Sequence, residues 1–388
     1  MPEGQGLRPG WAETSNDKPG PASEIFRRIS RKGPITFAEF MDVALYWRDG
    51  GYYTSSRNIW GRGGDYITSV DVSPVFSRLL AREIHEMWLI LGRPSDFDLI
   101  EPGAGRGWLS KGILSAAKDH YPDLYPSLRV SLIEKNRFLR EFRAERTTWY
   151  SDMTEIEGPL VGCIISNELI DSFPVHRVEC RDGIKEVYVN SDAHSFREVY
   201  GRPSSPRIEE YFRKVGITLV EGQKCEVNLD AARWIHAATA LLERGFVITI
   251  DYGLPARELF APERKDGTLL CHFRHSVNCD PFANIGMQDI TAHVDFTTIV
   301  AEGRRSGLEL TGFTTQKNFL LGLGILDELA GPASGIEACD KIRHNQAIKE
   351  LIMPDGMGDA FKVLVQHKGV EKRDLIGFSF KDMSRCLF

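Results

Sequence analysis

The chain has 388 residues, of which 48 are Lys or Arg and 54 are Asp or Glu, so its formal net charge at pH 7 is −6. With a pI near 6.0 it has no overall positive field to recruit nucleic acid or an anionic membrane, so we expect neither as a partner. The seven cysteines include no C-x-x-C pair, which is typical of a reducing compartment. No apolar run reaches membrane-spanning length and residues 1–22 lack a signal-peptide core, so we expect a cytoplasmic protein.

The N-terminal quarter predicts a tail, a helical cap and a long loop. Residues 1–22 are rich in Gly, Pro and small polar residues, which indicates disorder. Helical spacing of apolar residues predicts two short helices, 24–31 and 37–47. The stretch 50–76 is too rich in Gly, Tyr and Ser for an ordinary helix and is predicted to be a functional loop. A further helix is expected from Pro74, with Ser73 as its N-cap, to about Leu91.

The segment FDLIEPGAGRG at 97–107 is the most informative, because an apolar strand ends there in a glycine-rich turn. A helix is predicted at 108–120, and the next strand, 130–133, ends in Glu134. Rossmann-type folds place an acid at that point to accept hydrogen bonds from a ribose, so an adenosine-containing cofactor is predicted.

The glycine spacing narrows the choice of cofactor. A dinucleotide site needs G-x-G-x-x-G, whereas Trp108 stands at the third glycine position and Glu101 would repel a phosphate. S-adenosylmethionine fits better, since its sulfonium and ammonium groups are cationic. The alternative is a tight turn that binds nothing.

The remaining strands complete an α/β fold. Buried strands are predicted at 148–150, just before Ser151 and Asp152, and at 162–166 and 246–253. Residues 175–245 predict an insertion, with a hairpin around Asp182-Gly183 and helices near 206–214 and 230–243. Residues 254–296 predict an irregular substrate loop. The chain ends with a strand in 307–316, helices near 317–330 and 340–352, and a strand at 361–367.

We therefore predict six regions. They are a disordered tail (1–22), a helical cap with a cofactor-covering loop (23–92), a first core half (93–174), an insertion (175–245), a second core half with the substrate loop (246–370) and a C-terminal tail (371–388).

The segment SNELIDSFP at 166–174 carries the candidate catalytic residues, Asn167, Glu168 and Asp171. In open α/β sheets the ligand lies beyond the carboxyl ends of the strands, where this segment begins. If it opens a helix, Glu168 and Asp171 share a face and can bind a planar guanidinium between two carboxylates. The alternative is that these acids only stabilise a helix N-terminus.

Five ordered segments resemble the signatures of the MidA-like methyltransferases, a family that includes a mitochondrial complex I assembly factor which methylates a protein arginine. They are GDYITSVDVSPVF at 64–76, EPGAGRG at 101–107, SNELIDSFPVHR at 166–177, ITIDYG at 248–253 and DITAHVDF at 289–296. The resemblance covers about residues 24–367 and implies a Rossmann-like class I methyltransferase sheet. Glu101-Pro102 and Trp108 depart from the family pattern, which more often has Glu-Leu or Glu-Ile and a small residue.

The resemblance also implies roles for individual residues. The loop from Gly64 to Ser69 would cover the cofactor, Glu134 would hold its ribose, and Asn167, Glu168 and Asp171 would face the methyl acceptor. The expected cofactor contacts are Gly64, Asp65, Tyr66, Thr68, Ser69, Glu101, Gly103, Gly105, Glu134, Asp152 and Asn167.

The loop around Cys271 and Cys279 has ligand types that suit zinc, but it lacks a second ligand pair, so no metal is predicted. We assign its polar residues to a substrate-facing loop instead, together with a later histidine: His272, Arg274, His275 and His293. A structural role is the alternative for His293. Asp295 is expected to cap the next helix, and Asp251 is either a site residue or a structural one.

The sequence therefore predicts an S-adenosylmethionine-dependent methyltransferase that acts on an arginine of a protein substrate. A catalytically silent assembly factor or chaperone on the same fold is an alternative, and so is a small-molecule methyltransferase. The two carboxylates at 168 and 171 favour the first interpretation. A homodimer is also considered.

Overall fold

The computed structural model describes residues 20–57, 64, 68–192, 195–329, 338–354, 356–371 and 374–388. Within them the chain is a mixed α/β protein, as predicted. The helices are α1 Pro21–Lys32, α2 Phe37–Tyr46, α3 Ser69–Val72, α4 Pro74–Ile90, α5 Trp108–His120, α6 Pro206–Val215, α7 Leu229–Leu241, α8 Ala256–Leu259, α9 Phe296–Arg305, α10 Gln316–Gly322 and α11 Ala338–Ile352. The strands are β1 Ile35–Thr36, β2 Phe97–Pro102, β3 Leu128–Ile133, β4 Thr147–Tyr150, β5 Leu160–Asn167, β6 His176–Cys180, β7 Ile184–Ser191, β8 Phe196–Gly201, β9 Lys224–Val227, β10 Leu242–Leu254, β11 Leu270–Phe273, β12 Ser276–Asn278, β13 Asp289–Thr291, β14 Val294–Asp295, β15 Glu309–Thr315 and β16 Phe361–Lys368.

A central sheet forms the core of the fold. Its order is β15-β16-β10-β5-β2-β3-β4, with the short β14 added to the end of β10. Strands β4, β3, β2, β5 and β10 run parallel, and β16 lies antiparallel between β10 and β15. Strand β2 therefore has β3 on one side and the later β5 on the other. This reversal of strand order opens a crevice at the carboxyl ends of β2 and β5.

Helices bury both faces of the central sheet. Along β5, Cys163 and Ile165 pack into the core with α4 and α5, whereas the intervening Ile164 packs with α7 and α9. Alternate residues of a strand point to opposite faces, so a strand buried on both sides lacks polar alternation, as β5 does from Leu160 to Ile165. The predicted start of α4 is confirmed, because Pro74 is its first residue and the Ser73 hydroxyl accepts a hydrogen bond from the Val75 N–H at 3.2 Å.

Two smaller sheets flank the core. Strands β6 and β7 form the predicted hairpin, and they join β9, β1 and β8 in an antiparallel sheet. Residues 254–296 were predicted to be irregular, and this was wrong. They contain α8 and an antiparallel sheet of order β12-β11-β13. The sheet forms because Cys271, Ile290 and Ala292 bury their side chains against the α1–α2 layer.

The segment 166–174 does not open a helix, which was the condition for Glu168 and Asp171 to share a helix face. The residues after β5 form turns, and Glu168 has a left-handed backbone with φ 52°. The tail predicted for 1–22 falls mostly outside the described residues, although α1 already begins at Pro21. The division into six regions stays a prediction; within the described residues α4 packs on α5, and α7 packs on α9. No helix of the described ranges is long and apolar enough to cross a membrane.

Glu83 on α4 makes the fold sensitive to pH. Its side chain is fully buried and accepts a hydrogen bond from the Gly377 N–H at 3.1 Å. Burial raises the pKa of Glu83 from 4.5 to about 8. Between these two pH values the folded protein keeps the proton and the unfolded chain releases it, so stability falls as pH rises.

We therefore expect Glu83→Gln to flatten the fall in unfolding free energy between pH 5 and pH 8, by up to about 1.4 kcal/mol per pH unit. Urea unfolding at several pH values measures this. Glu86→Gln should flatten the slope less than Glu83→Gln does, because the charge of the less buried Glu86, which accepts the neighbouring Ile376 N–H at 2.9 Å, is the second cause of the raised pKa of Glu83 after burial. An unchanged slope in folded Glu83→Gln would contradict the assignment.

Candidate active site

The crevice at the carboxyl ends of β2, β3 and β5 is a cavity of about 670 Å³. Residues of α2, α7 and the segments 53–54 and 68–71 complete its walls. Among the predicted site residues, those that line the cavity are Thr68, Glu101, Gly103, Gly105, Glu134, Asp152, Asn167 and Glu168. The sequence therefore identified the residues at the strand ends, where the sheet topology brings separate segments together.

The glycine turn after β2 needs its glycines for conformation and for space. Gly103, Gly105 and Gly107 have φ values of 71°, 52° and 76°, which side-chain-bearing residues rarely adopt. A Cβ on Gly103 would lie 2.8 Å from the Leu169 Cδ1 atom. The turn after β2 is thus packed directly against the turn after β5.

Glu101 stabilises the start of α5. Gly107 is the N-cap of that helix and has no side chain to offer, and the buried Glu101 carboxylate instead accepts hydrogen bonds from the Ser110 hydroxyl and, at 3.1 Å, the Ser110 N–H. A carboxylate at a helix N-terminus is favourable to the helix. Burial nevertheless raises the pKa of Glu101 to about 7. Trp108, the residue that departs from the family pattern, also lines the cavity.

Glu134, at the end of β3, connects the glycine turn to the chain that follows it. Its two carboxylate oxygens accept hydrogen bonds from the Gly105 N–H at 3.1 Å and the Asn136 N–H at 2.7 Å. Burial raises the pKa of Glu134. The Asn136 amide in turn donates to the carbonyls of Tyr53 and Ser55, both at 2.8 Å. The N-terminal segment is thereby held over the cavity.

Residues 168–171, which we call the β5 turn, place the two predicted catalytic carboxylates in different surroundings. Glu168 lines the cavity and its Oε1 accepts a hydrogen bond from the Asn167 amide at 3.0 Å. Asp171 is buried behind it and is not a lining residue. The two acids do not share a helix face, because no helix forms here: the carboxylate of Asp251 accepts hydrogen bonds from the N–H groups of the turn and a different backbone results.

An acidic cluster surrounds this turn. Burial raises the pKa of Glu168 from 4.5 to about 8. The pKa of Asp171 is also raised, by burial first and then by the charges of Asp251, Asp289 and Glu168. Carboxylates this close to one another favour a protonated form until a cation arrives.

Two tyrosines of the N-terminal region complete the site, and sequence reasoning missed both as individual residues. Tyr46 donates its hydroxyl to the Ser172 carbonyl at 3.1 Å and stacks on Tyr53, with ring centroids 5.5 Å apart. The Tyr53 hydroxyl donates to both oxygens of Asp289 at 2.8 Å. Tyr53 lies within the stretch 50–76 that was predicted to be a functional loop, and this composition was the signal available.

Helix α7 forms one wall of the cavity, and its sequence pattern did not indicate a site. Asp230, Arg233, Trp234 and Ala237 line the cavity at helical spacing. Residues at i, i+3, i+4 and i+7 form one face of a helix, but any amphipathic helix shows the same pattern. Only the fold reveals that this face is turned towards β5.

The predicted cofactor-covering loop is described in part. Asp65 and Tyr66 lie outside the described residues, and Gly64 is not among those that line the cavity. Ser69 is buried beside the cavity, where its hydroxyl bonds the Gln316 side chain at 3.2 Å and its N–H donates to Glu168 at 3.4 Å. The cofactor contacts of this loop stay predictions.

The residues assigned to the substrate loop lie away from the cavity. Arg274 and His275 form the exposed tip of the β11–β12 hairpin, with φ values of 49° and 60°, and none of His272, Arg274, His275 and His293 lines the cavity. Burial lowers the pKa of His293 to about 4. The structure thus does not bring these side chains to the site. In the described part of the chain, no group of three or more His, Cys, Asp or Glu side chains could hold a metal ion.

Comparison with known proteins agrees with this geometry. The model of a family described as "Putative S-adenosyl-L-methionine-dependent methyltransferase" matches residues 79–314. A solved structure from Burkholderia thailandensis, described as a "COG1565 superfamily member and likely methyl transferase" and bound to S-adenosyl-homocysteine, superposes with a TM-score of 0.85. It is 31% identical, and the match covers 96% of this chain and 100% of that one.

Curated proteins of known name are also similar. The chain is 28% identical to "Protein arginine methyltransferase NDUFAF7 homolog, mitochondrial" of Drosophila melanogaster, over 92% of this chain and 88% of that protein. It is 28% identical to the NDUFAF7 protein of Homo sapiens, over 78% of this chain and 72% of that one. The expected cytoplasmic location is contradicted here, because these relatives are named as mitochondrial proteins.

The family model spans more than half of the chain, and the glycine turn, Glu134 and Glu168 that it includes line one cavity. The chain therefore belongs to this family of S-adenosyl-L-methionine-dependent methyltransferases.

Proposed function

We propose that the protein transfers a methyl group from S-adenosylmethionine to the guanidinium of an arginine in a protein substrate. The observation that carries the proposal is the half-buried, cavity-lining carboxyl group of Glu168, whose pKa is raised to about 8 by desolvation. The relatives named as protein arginine methyltransferases support the choice of acceptor. A homodimer, and the absence of nucleic-acid and membrane partners, remain part of the proposal.

The residues of the cavity fit S-adenosylmethionine. Gly103 and Gly105 allow close approach to the backbone, and Glu134 is an acid at the end of the second parallel strand, where a ribose is commonly bound. Glu101, Glu134 and Asp152 all line the cavity, and carboxylates favour a ligand that carries ammonium and sulfonium charges. A cavity of about 670 Å³ lies within the range of cofactor sites.

Glu168 is suited to hold a guanidinium. The group is planar and permanently charged, and a carboxylate can bind it through two parallel hydrogen bonds. Next to that cation, the charged form of Glu168 becomes favourable again, which offsets the cost of its burial. Asp171 interacts electrostatically with both Glu168 and Asp289, and neither aspartate lines the cavity.

Methyl transfer would then depend on the position of the guanidinium and on the removal of one proton from its nitrogen. S-adenosylmethionine supplies an electrophilic methyl group when it is bound. Glu168 would fix the guanidinium plane so that one nitrogen faces that group, and would accept the proton that the nitrogen loses on methylation. Tyr46 and Tyr53 would exclude water, since their rings stack at the cavity wall.

The direct test is a labelling experiment. The purified protein is incubated with tritiated-methyl S-adenosylmethionine and a proteome extract, and the labelled protein is hydrolysed to amino acids. We expect label in methylarginine. Label only in another amino acid or in a small molecule would contradict the proposed acceptor.

We expect Glu134→Ala to weaken the binding of S-adenosylmethionine by roughly 1.5 to 3 kcal/mol, because charge-assisted hydrogen bonds to the ribose are lost. Isothermal titration calorimetry measures this, and thermal unfolding verifies that the variant is folded. Glu155→Ala is the matched control, since Glu155 also accepts a backbone N–H beyond a strand end, from Ser151 at 3.2 Å, but does not line the cavity. Unchanged affinity in folded Glu134→Ala would remove the ribose role.

We expect Glu168→Gln to keep cofactor affinity within about threefold and to lower the methyl transfer rate by on the order of 10² to 10⁴. Glu168 is neutral below its pKa of about 8 and charged above it, so the wild-type rate at low substrate should rise with pH through that region. The variant should lack this rise.

Glu83→Gln is the control for the loss of a buried carboxylate, because Glu83 lies outside the cavity. A Glu168→Gln enzyme with the full rate and the wild-type pH profile would refute the role of Glu168 in holding the acceptor.

A further inference from the structure

The backbone of the β5 turn is hydrogen-bonded to the side chain of Asp251. This residue lies near the carboxyl end of β10 and is 0% exposed. Its Oδ2 accepts hydrogen bonds from the N–H groups of Leu169 at 3.2 Å, Ile170 at 2.8 Å and Asp171 at 3.4 Å. Its Oδ1 accepts from the Tyr252 N–H at 2.9 Å. A single side chain thus binds consecutive amides of the turn and one amide of its own strand.

The turn needs such an anchor, because its first residue is strained. Glu168 adopts φ 52°, in the left-handed region, which is unfavourable for a residue with a Cβ. A conformation of this kind persists only where the surroundings over-determine it. Here β10 supplies both restraints, since the Glu168 N–H donates to the Ile250 carbonyl at 2.9 Å and the next N–H groups bind Asp251.

We propose that Asp251 is a positioning residue for methyl transfer: by folding the β5 turn, it directs the Glu168 carboxylate into the cavity. This inference rests on the proposed function. Asp251 does not line the cavity, so it acts through Glu168. Leu169, in the same turn, packs against Gly103, so the anchor also fixes the turn relative to the cofactor side of the cavity.

Two variants distinguish the effect of the hydrogen bonds that Asp251 accepts from the effect of its negative charge. Asp251→Ala removes the acceptor of the N–H groups of residues 169–171 and leaves the hydrogen bond from the Glu168 N–H to the Ile250 carbonyl. Asp251→Asn keeps one oxygen for the turn but places an amide N–H against the Tyr252 N–H, and it removes the charge. Asp295→Ala is the matched control, since Asp295 is also buried, at the end of β14, and accepts hydrogen bonds from the Thr298 N–H at 3.2 Å and the Tyr211 hydroxyl at 2.8 Å.

The first readout is the rate of tritiated-methyl transfer into the proteome extract at saturating S-adenosylmethionine. We expect a loss of about 10²-fold for Asp251→Ala, since a displacement of about 1 Å has that effect, and about tenfold for Asp251→Asn. Affinity for S-adenosyl-homocysteine, measured by calorimetry, should stay within about threefold. Asp295→Ala should lose stability and keep its rate.

The second readout needs neither cofactor nor activity. Hydrogen exchange of the amides of 169–171 in the free protein should be faster in Asp251→Ala than in the wild type, and unchanged in Asp295→Ala. A third readout is the pH profile, because the charge of Asp251 raises the pKa of Glu168. The rise in rate should therefore move to lower pH in Asp251→Asn. The other ionisable groups around Glu168 and Asp171 remain in that variant: Asp71 on α3, Asp289 on β13, and Tyr252 on β10.

The outcomes distinguish this inference from the function on which it rests. If Asp251→Ala keeps the wild-type rate while Glu168→Gln loses it, Asp251 is not a positioning residue and the proposed function stands. If Glu168→Gln is fully active, both the inference about Asp251 and the proposed function are contradicted. Should Asp251→Ala not fold, Asp251→Asn decides, and a wild-type rate, exchange and pH profile in that variant would overturn the inference.

Discussion

The hydrogen bonds between the carboxylate of Asp251 and the N–H groups of the β5 turn are the constraint on which the site depends. Strand β10 lies between β5 and β16, so it has a hydrogen-bonded neighbour on each side. Asp251 links this interior strand to the turn beyond β5. The left-handed Glu168 and the contact between Leu169 and Gly103 both follow from it.

The second feature of the site is the number of carboxylates that line the cavity. Glu101, Glu134 and Glu168 line one cavity, and burial raises the pKa of each. This arrangement is unfavourable for the empty protein, because buried carboxylates repel one another and lose hydration. It suits a site that receives two cationic groups, the sulfonium of the cofactor and the guanidinium of the acceptor. Binding of these ligands would relieve the repulsion that folding imposes.

Much of the fold could be predicted, because its signals are local. The bounds of α5, the hairpin at Asp182-Gly183, the N-cap at Ser73 and the acid that ends β3 each depend on a few adjacent residues. The strand ends then identified one side of the cavity, since parallel strands present their carboxyl ends at one edge.

The features that could not be predicted depend on contacts between segments that are distant in the sequence. The left-handed Glu168 follows from Asp251, which lies more than 80 residues later in the chain, so the local i, i+3 spacing of Glu168 and Asp171 was misleading. Residues 254–296 contain Gly and Pro but form a sheet, because α2 offers an apolar surface to Ile290. The face of α7 and the tyrosines of the N-terminal segment reach the cavity only through the tertiary fold.

The central claim is that Glu168, held by the β5 turn, binds the guanidinium of the acceptor arginine. A crystal structure of the protein with S-adenosyl-homocysteine and an arginine-containing peptide tests it most directly. We predict a bidentate contact between the guanidinium and the Glu168 carboxylate inside the cavity, with Asp251 still bound to the turn. A guanidinium seated elsewhere, with Glu168 turned away from it, would contradict the account.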